Sequence, residues 1–529
     1  MFNGFLCVTC IVLGTVLYRR KGHRYPPGPK GLPLVGNLFQ VPLKKNWEQF
    51  DSWKKDYGKI RCSSYVHCNI PGPILYLNLA GQPIIVLNTK KVAVDLLERR
   101  ATNYSSRPRF IVAGEYLNGG CNMILAGYGD IWRRMRRSSE YALGLKTSSQ
   151  YQPTQSDEAV LLAYDLIHST DQWENHIFRA VISSILSIVY DLPPLTSFED
   201  PIIKFLLGLT RRLDEALYPG SFAVEFLPIL DWLPPWLAKW KREAIKDYQN
   251  YTSKFEQMFS NVKDASVKGE AEQSSFCATL LKPGARHSLS DHELAWLAAS
   301  LFMAGYETSS NTMTWFMYLM ILFPEIQTKA QEQLDQVVGR SRPPTFADAK
   351  HLPYIWAIIK EMLRWRPPAP ISVPHATVAD DYYEGYFIPK NSIVIPNIWS
   401  INRDPEVYEN RIEDFYPEHH LDSEGKLKDA LDEGHFAFGF GHRSCVGRHV
   451  ANNTLFVDVA TILWAMKIEP VKDEHGKPIV PSIDEERSGG ILLNPPKCQF
   501  TCTSRFEEVD MILQQARDDI LKSTRYSQE

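Results

Sequence analysis

The chain has 529 residues, 44% hydrophobic and 12% aromatic, with 58 basic against 61 acidic side chains and a net charge of -3. Such numbers exclude a predominantly disordered chain and give no global electrostatic reason to expect a nucleic-acid partner. Nine cysteines over this length do not resemble a secreted disulfide framework, and Cys62, Cys68, Cys121 and Cys277 lack neighbours at metal-finger spacing, so a reducing compartment is expected.

From Phe2 to Tyr18 the chain is apolar and uncharged, and Arg19, Arg20, Lys21, His23 and Arg24 follow. Residues 1–25 therefore read as a retained transmembrane anchor with a basic cytosolic stop, short for a full span. A cleaved signal peptide is the alternative; it would expose the sequons at Asn103 and Asn250 to glycosylation. Cys7 and Cys10 fall inside the apolar run, where membrane burial outweighs a redox or zinc role. Residues 26–37, with Pro26-Pro27-Gly28-Pro29 and Gly31, Pro33 and Gly36, form a stiff Pro/Gly-rich connector. The rest reads as one catalytic domain, 38–505, and a polar C-terminal tail, 506–529.

The domain is predicted to be mainly α with minor β. Ile74 to Leu87 contains β-prone runs broken by Gly81 and Pro83, whereas most of Gln155 to Gly339 reads as successive helices. The segment Phe226 to Leu237, interrupted by three prolines, is either a membrane-facing surface or an interhelical core loop. Ser290 opens a predicted helix with capping-box spacing to Glu293, running to Phe323 over roughly 50 Å. Glu307 is its one formal charge after Leu294, so a second membrane span competes with a buried helix. The polar patch Glu307 to Thr312 favours the buried helix, lining a cavity. An acid beside a hydroxyl in an apolar wall suits proton delivery to a buried reactant.

Near the carboxyl end, glycines and aromatics precede one cysteine: Phe436-Ala-Phe438-Gly439-Phe440-Gly441-His442-Arg443-Ser444-Cys445-Val446-Gly447. The apolar periodicity that follows predicts a helix starting close to the sulfur, whose free N–H groups and dipole are expected to lower the thiol pKa. Arg443 can pair with a carboxylate on whatever the thiolate ligates.

Phe438-x-x-Gly441-x-Arg443-x-Cys445-x-Gly447 resembles, at every defined position, the haem-binding loop of the cytochrome P450 family, fungal microsomal type. The resemblance extends over most of the chain after the anchor. Trp132 and Arg136 resemble the WxxxR helix that binds a haem propionate. Ala304 to Thr308 is similar to the oxygen-activation segment, in which Gly305 opens the helix over the iron and Glu307 and Thr308 relay protons. Glu361 and Arg364 resemble the ExxR pair, and His375 stands where the family presents another propionate ligand. In Phe415 to His420, His419 replaces the arginine that completes a network with the helical Glu and Arg; a neutral imidazole lacks that permanent charge.

The resemblance implies a helix-rich fold enclosing haem b, with a smaller β-rich region. Cys445 would ligate the iron, and Phe438, Gly441 and Gly447 would shape its loop. It further implies insertion of one oxygen atom of O2 into a lipophilic small molecule at the endoplasmic reticulum membrane. Electrons would come from NADPH through a separate NADPH–cytochrome P450 reductase, with Arg133, Arg134 and Arg137 as either its docking face or a solvated helix surface. The substrate pocket would draw on Pro108 to Met123, Leu297 to Thr308, Ala369 to Val373 and Gly489 to Leu492. The wording of Tyr104 to Pro108 and Tyr128 to Arg133 points to a terpenoid or polyketide intermediate of fungal secondary metabolism. Xenobiotic detoxification is the rival, and a haem-thiolate isomerase or dehydratase the more distant one.

Overall fold

The computed structural model describes residues 22–57, 72–268, 274–429, 432–483, 487–488 and 492–523, with backbone alone at 487–488. The expected anchor, its first three basic residues and most of the Gly489 to Leu492 pocket segment lie outside the described residues. Among these residues no helix is long and apolar enough to cross a membrane.

The first helix, α1 (Asn46–Tyr57), leads into a hairpin of β1 (Ile74–Leu79) and β2 (Gln82–Leu87). Ala80 and Gly81 turn it with φ of 49° and 99°, and the second needs glycine. The principal helices that follow are α2 (Asp130–Leu143), α3 (Gln152–His168), α4 (Trp173–Tyr190), α5 (Pro201–Leu217), α6 (Lys239–Lys268), α7 (Asp291–Leu322), α8 (Pro324–Val337) and α9 (Pro353–Trp365). Next come β3 (His375–Ala376) and β4 (Ile393–Pro396), then α10 (Arg448–Ala465), the strands β5 (Met466–Pro470) and β6 (Phe500–Ser504), and α11 (Val509–Lys522). One sheet has the order β1-β2-β4-β3, with β2 and β4 parallel, and β5 pairs antiparallel with β6.

The long helix α7 holds the core together. Ser290 caps it: its hydroxyl accepts from the Glu293 N–H at 3.2 Å, and Glu293 accepts from the Ser290 N–H at 2.7 Å. Trp296, Phe302, Trp315 and Phe316 are buried on several sides of it, as expected for a helix packed against α4, α6 and α10 rather than against lipid.

Two segments sharpen the sequence reading. The expected polar tail docks along α3: Val509 and Leu513, one turn apart, are buried, and Tyr164 of α3 donates to Gln514 at 2.7 Å. The Phe226 to Leu237 segment is no core loop. Ile229 is 65% exposed, Trp232 83% and Trp236 74%, and the segment is pinned at its centre, where Asp231 accepts from Tyr116 at 2.8 Å and from Arg109 at 3.0 Å.

Candidate haem-binding and proton-delivery site

The cysteine loop is shaped by backbone geometry. Phe438 offers its carbonyl to the Cys445 N–H at 2.8 Å. Gly441 has φ of 57°, and a Cβ there would collide with the Leu97 carbonyl, so only glycine fits. Gly447 is the N-cap of α10, two residues after Cys445, and its N–H points at the sulfur. The helix-end N–H of Gly447 does favour the thiolate, as expected. Burial pushes the Cys445 pKa up and outweighs the opposing Gly447 N–H, Arg136 and Arg448.

Arg443 reaches out of this loop and donates to the carbonyls of Ser105 (2.7 Å), Met123 (3.2 Å) and Ala126 (2.7 Å), with its guanidinium 4.2 Å from the centre of the Trp132 ring. Arg107, which sequence reasoning did not single out, donates likewise to Ile124, Val373 and Pro374. The Ser106 carbonyl accepts from Ala376 of β3 at 2.8 Å, which sets Arg107 beside His375. Only the Ser105-Ser-Arg-Pro wording hinted at it. Desolvation pushes the Arg107 guanidinium down to about 9. Arg443 is pushed down to about 8 by the same cause and by Arg107 and Arg136 nearby. His375 is buried, hydrogen-bonds the Tyr104 carbonyl through Nδ1 at 2.8 Å, and is held well below the usual imidazole range by burial and by Arg107 and Arg443. No carboxylate is described among the hydrogen-bond partners of these three groups.

Trp132 and Arg136 take other partners. The Trp132 indole N–H donates to the Met123 carbonyl at 3.2 Å, and Arg136 bridges Glu140 at 2.7 Å and the Ser444 carbonyl. Arg136 therefore ties α2 to the residue before the cysteine. On α7, Leu301, Ala304, Gly305, Glu307 and Thr308 are half-buried while Phe302, Met303, Tyr306 and Ser309 are buried, so one stripe of the helix faces an interior space. Thr308 donates back to the Ala304 carbonyl at 2.8 Å, leaving its oxygen free to accept. Gly305 serves close packing: a Cβ there would lie 2.9 Å from Ile185 on α4. Burial first, and then the charge of Asp214 on α5, push the Glu307 carboxyl up to about 8.

At the far side of the cysteine loop, Glu361 and Arg364 form the expected pair. Two hydrogen bonds of 2.7 Å join them, and neither side chain is exposed. His419 and His420 both reach Glu361, at 3.1 and 3.0 Å, so two imidazoles occupy the corner where a single arginine was anticipated.

The cytochrome P450 family model matches residues 26–502. The chain belongs to the cytochrome P450 family. It is 44% identical to a cytochrome P450 monooxygenase of Armillaria gallica over 97% of this chain and 96% of that one. It is 42% identical to cytochrome P450 monooxygenase 58 of Postia placenta, over 95% of this chain and 93% of that one. It is 35% identical to the cytochrome P450 monooxygenase iboC of Amanita muscaria, over 94% of each. This chain is accordingly a cytochrome P450 monooxygenase, and the family is haem-thiolate.

The residues present fit that cofactor. Two half-buried guanidiniums and a buried imidazole, with no acid described among their hydrogen-bond partners, suit the carboxylates of a haem, and a half-buried sulfur at a helix start suits its iron. A bound carboxylate would also favour the imidazolium form of His375, which alone can donate from Nε2.

Proposed function

We propose that this P450 oxidises a lipophilic small molecule, a terpenoid or polyketide intermediate of fungal secondary metabolism, with electrons from NADPH delivered by a separate membrane-bound reductase. When bound, the haem supplies the activation of O2 and the insertion of one of its oxygen atoms into a C–H bond. The observation that carries the reading is the half-buried stripe of α7, in which apolar Leu301 and Ala304 stand two turns and one turn, respectively, from the Glu307–Thr308 pair. An apolar wall selects an apolar substrate and excludes bulk water, and the acid and alcohol hold the protons that the reaction consumes.

Cys445 would ligate the iron, Arg443, Arg107 and His375 would hold the propionates, and Trp132 and Arg136 would brace that end of the loop. Arg133 and Arg137 are exposed on α2 and supply the basic face for an acidic reductase. Residues 1–25 would anchor the body to the cytosolic face of the endoplasmic reticulum, where the exposed Trp232 and Trp236 meet the headgroup layer. Asn103 supports this side of the membrane: it donates to the Ala379 carbonyl at 3.2 Å and accepts from the Ala379 N–H at 2.8 Å, so its amide is engaged.

The test is turnover of a panel of terpenoid, polyketide and foreign lipophilic compounds with added reductase, followed by mass spectrometry. Gain of one oxygen atom from labelled O2 on a terpenoid or polyketide scaffold is the expected result. Turnover confined to foreign lipophiles would move the assignment to detoxification.

A further inference from the structure

Cys121 has no metal-spaced neighbour in the sequence, yet the fold gives it a base. Its Sγ lies 3.8 Å from Nε2 of His292, in the first turn of α7, and His292 Nδ1 lies 2.8 Å from Glu256 Oε1 on α6. A carboxylate only accepts, so in the neutral ring the proton sits on Nδ1 and the lone pair of Nε2 is left for the thiol. The cluster joins a loop to two helices through contacts of its own. Gly119, with φ of 56°, lies against the Tyr248 ring of α6, where a Cβ would come within 2.6 Å. Tyr248 stacks on Trp296 of α7 at 5.5 Å and brings its hydroxyl to 3.2 Å from the same Nε2. The Trp296 indole in turn donates to Thr252 of α6 at 3.1 Å. Cys121 is half-buried, and His292 and Glu256 are partly exposed, so a small reagent can reach the sulfur. Two residues further on, the Met123 carbonyl accepts from both Trp132 and Arg443, so this loop also borders the haem-binding residues.

We propose that Cys121, His292 and Glu256 form a nucleophilic modification site, at which the thiol adds to an uncharged α,β-unsaturated carbonyl compound. A nucleophile within reach of a base that is itself oriented by a third group is the arrangement that activates thiols and hydroxyls. Base assistance is needed here, because burial first, and then Glu293, raise the Cys121 pKa, and little thiolate stands ready. In the addition the proton leaves sulfur for His292 Nε2, and the S–C bond forms at the β-carbon as the C=C π bond opens. His292 then returns the proton to the α-carbon; no group is expelled and nothing is oxidised or reduced. This class of reagent needs one proton carrier and no leaving-group acid, which matches one thiol beside one imidazole. An uncharged reagent is favoured because acids bear on the site: Glu256 holds the ring, and the charge of Glu293 acts on the thiol. Arg134 of α2 lies 3.7 Å from Glu293 but also binds Asp130 and the Ser288 carbonyl.

The test is labelling of the full-length haem protein with N-ethylmaleimide, followed by peptide mass spectrometry at Cys121 and at the likewise half-buried Cys498. Cys121 is expected to label about tenfold faster than Cys498. His292→Gln should slow Cys121 by about the same factor and Glu256→Gln several-fold, with Cys498 unchanged in both. A variant that merely loosens the loop exposes the thiol and speeds its labelling, so slowing distinguishes base assistance from a structural effect. Tyr248→Phe, which removes the phenol that competes for Nε2, should label at the parent rate or faster; a fall to the His292→Gln rate would assign the assistance to the phenol and overturn the site as drawn. Labelling of Cys121 no faster than Cys498, or His292→Gln labelling as fast as the parent, overturns it outright. A maleimide carrying a carboxylate should react several-fold more slowly at Cys121 than N-ethylmaleimide does, and an equal or faster rate would refute the preference for uncharged reagents.

Discussion

His419 Nδ1 lies 3.1 Å from Glu361 Oε1, and His419 Nε2 lies 2.6 Å from the Asn410 carbonyl oxygen. Both neighbours are acceptors, so the ring is held between a carboxylate and a carbonyl oxygen. His420 donates to the other carboxylate oxygen at 3.0 Å and the Tyr416 N–H to the first at 2.8 Å, so several donors share the place of an arginine fork. His419→Arg is therefore expected to keep unfolding stability within about 0.5 kcal/mol. His419→Ala, which strips a donor from a buried carboxylate, should lose about 1–3 kcal/mol. Urea unfolding measures both, and an alanine variant as stable as the parent would leave the corner to Arg364 and His420.

Acid should destabilise the same corner before carboxylates titrate generally. Burial holds His420 below the ordinary imidazole range and His435 well below it, so both stay neutral in the fold while the unfolded chain protonates them near pH 6.5. Their stability contribution is complete above that pH and is lost as pH falls, at about 1.4 kcal/mol per pH unit for each histidine. Glu361, held far below the usual carboxylate range by Arg364 and both histidines against the cost of its burial, acts with the same sign at lower pH. Calorimetric unfolding between pH 7 and 5 should show the fall, and His420→Gln should make it shallower.

Local patterns were the legible part of this protein. The capping box of Ser290 and Glu293, the glycine spacing around Cys445 and the β-prone runs of residues 74–87 each express a rule that works within a few residues. Arg107 and His420 escaped notice because their roles depend on partners far away in sequence: Arg107 on the Val373–Pro374 backbone leading into β3, His420 on α9. Gly305 adds a packing role that motif position did not show, since a Cβ there would lie 2.9 Å from Ile185.

Arg107 and Arg443 should matter to haem retention and not only to folding. Each is half-buried and donates to three backbone carbonyls, with no acid described among its hydrogen-bond partners, so a carboxylate would be a strong additional partner for it. Hydrogen bonds to charged groups contribute about 1.5–3 kcal/mol, which corresponds to roughly tenfold to hundredfold weaker haem binding in Arg107→Ala. Haem-to-protein ratio after competition with apomyoglobin measures it. Retention equal to the parent would remove Arg107 from the site.

Cys445→Ser should abolish the far red-shifted Soret band of the reduced carbon-monoxide complex, which requires a thiolate trans to the bound gas. Thr308→Ala removes a hydroxyl but no haem ligand, so it should retain the band and divert reducing equivalents to peroxide. Its hydroxyl is anchored to the Ala304 carbonyl, so the helix loses one side-chain bond and keeps its backbone ladder. Tight coupling in this variant would argue against the assigned relay.

The segment from Phe226 to Leu237 provides the last test, because its apolar side chains face outward while its one acid faces in. Trp232 and Trp236 have no core to join; Asp231 is bound by Tyr116, Arg109 and Lys241, the last at 3.2 Å. Burying an exposed large side chain contributes about 1.5–3 kcal/mol when complete, and shallow insertion realises only part of that. The variant Trp232→Ala/Trp236→Ala in a protein lacking residues 1–25 should bind phospholipid vesicles about tenfold more weakly than its parent in co-sedimentation, with an unchanged unfolding midpoint. Asp231→Ala should weaken vesicle binding as well, through loss of the pin that presents the tryptophans, and should lower the midpoint. Equal vesicle binding by all three proteins would assign membrane contact to the anchor alone.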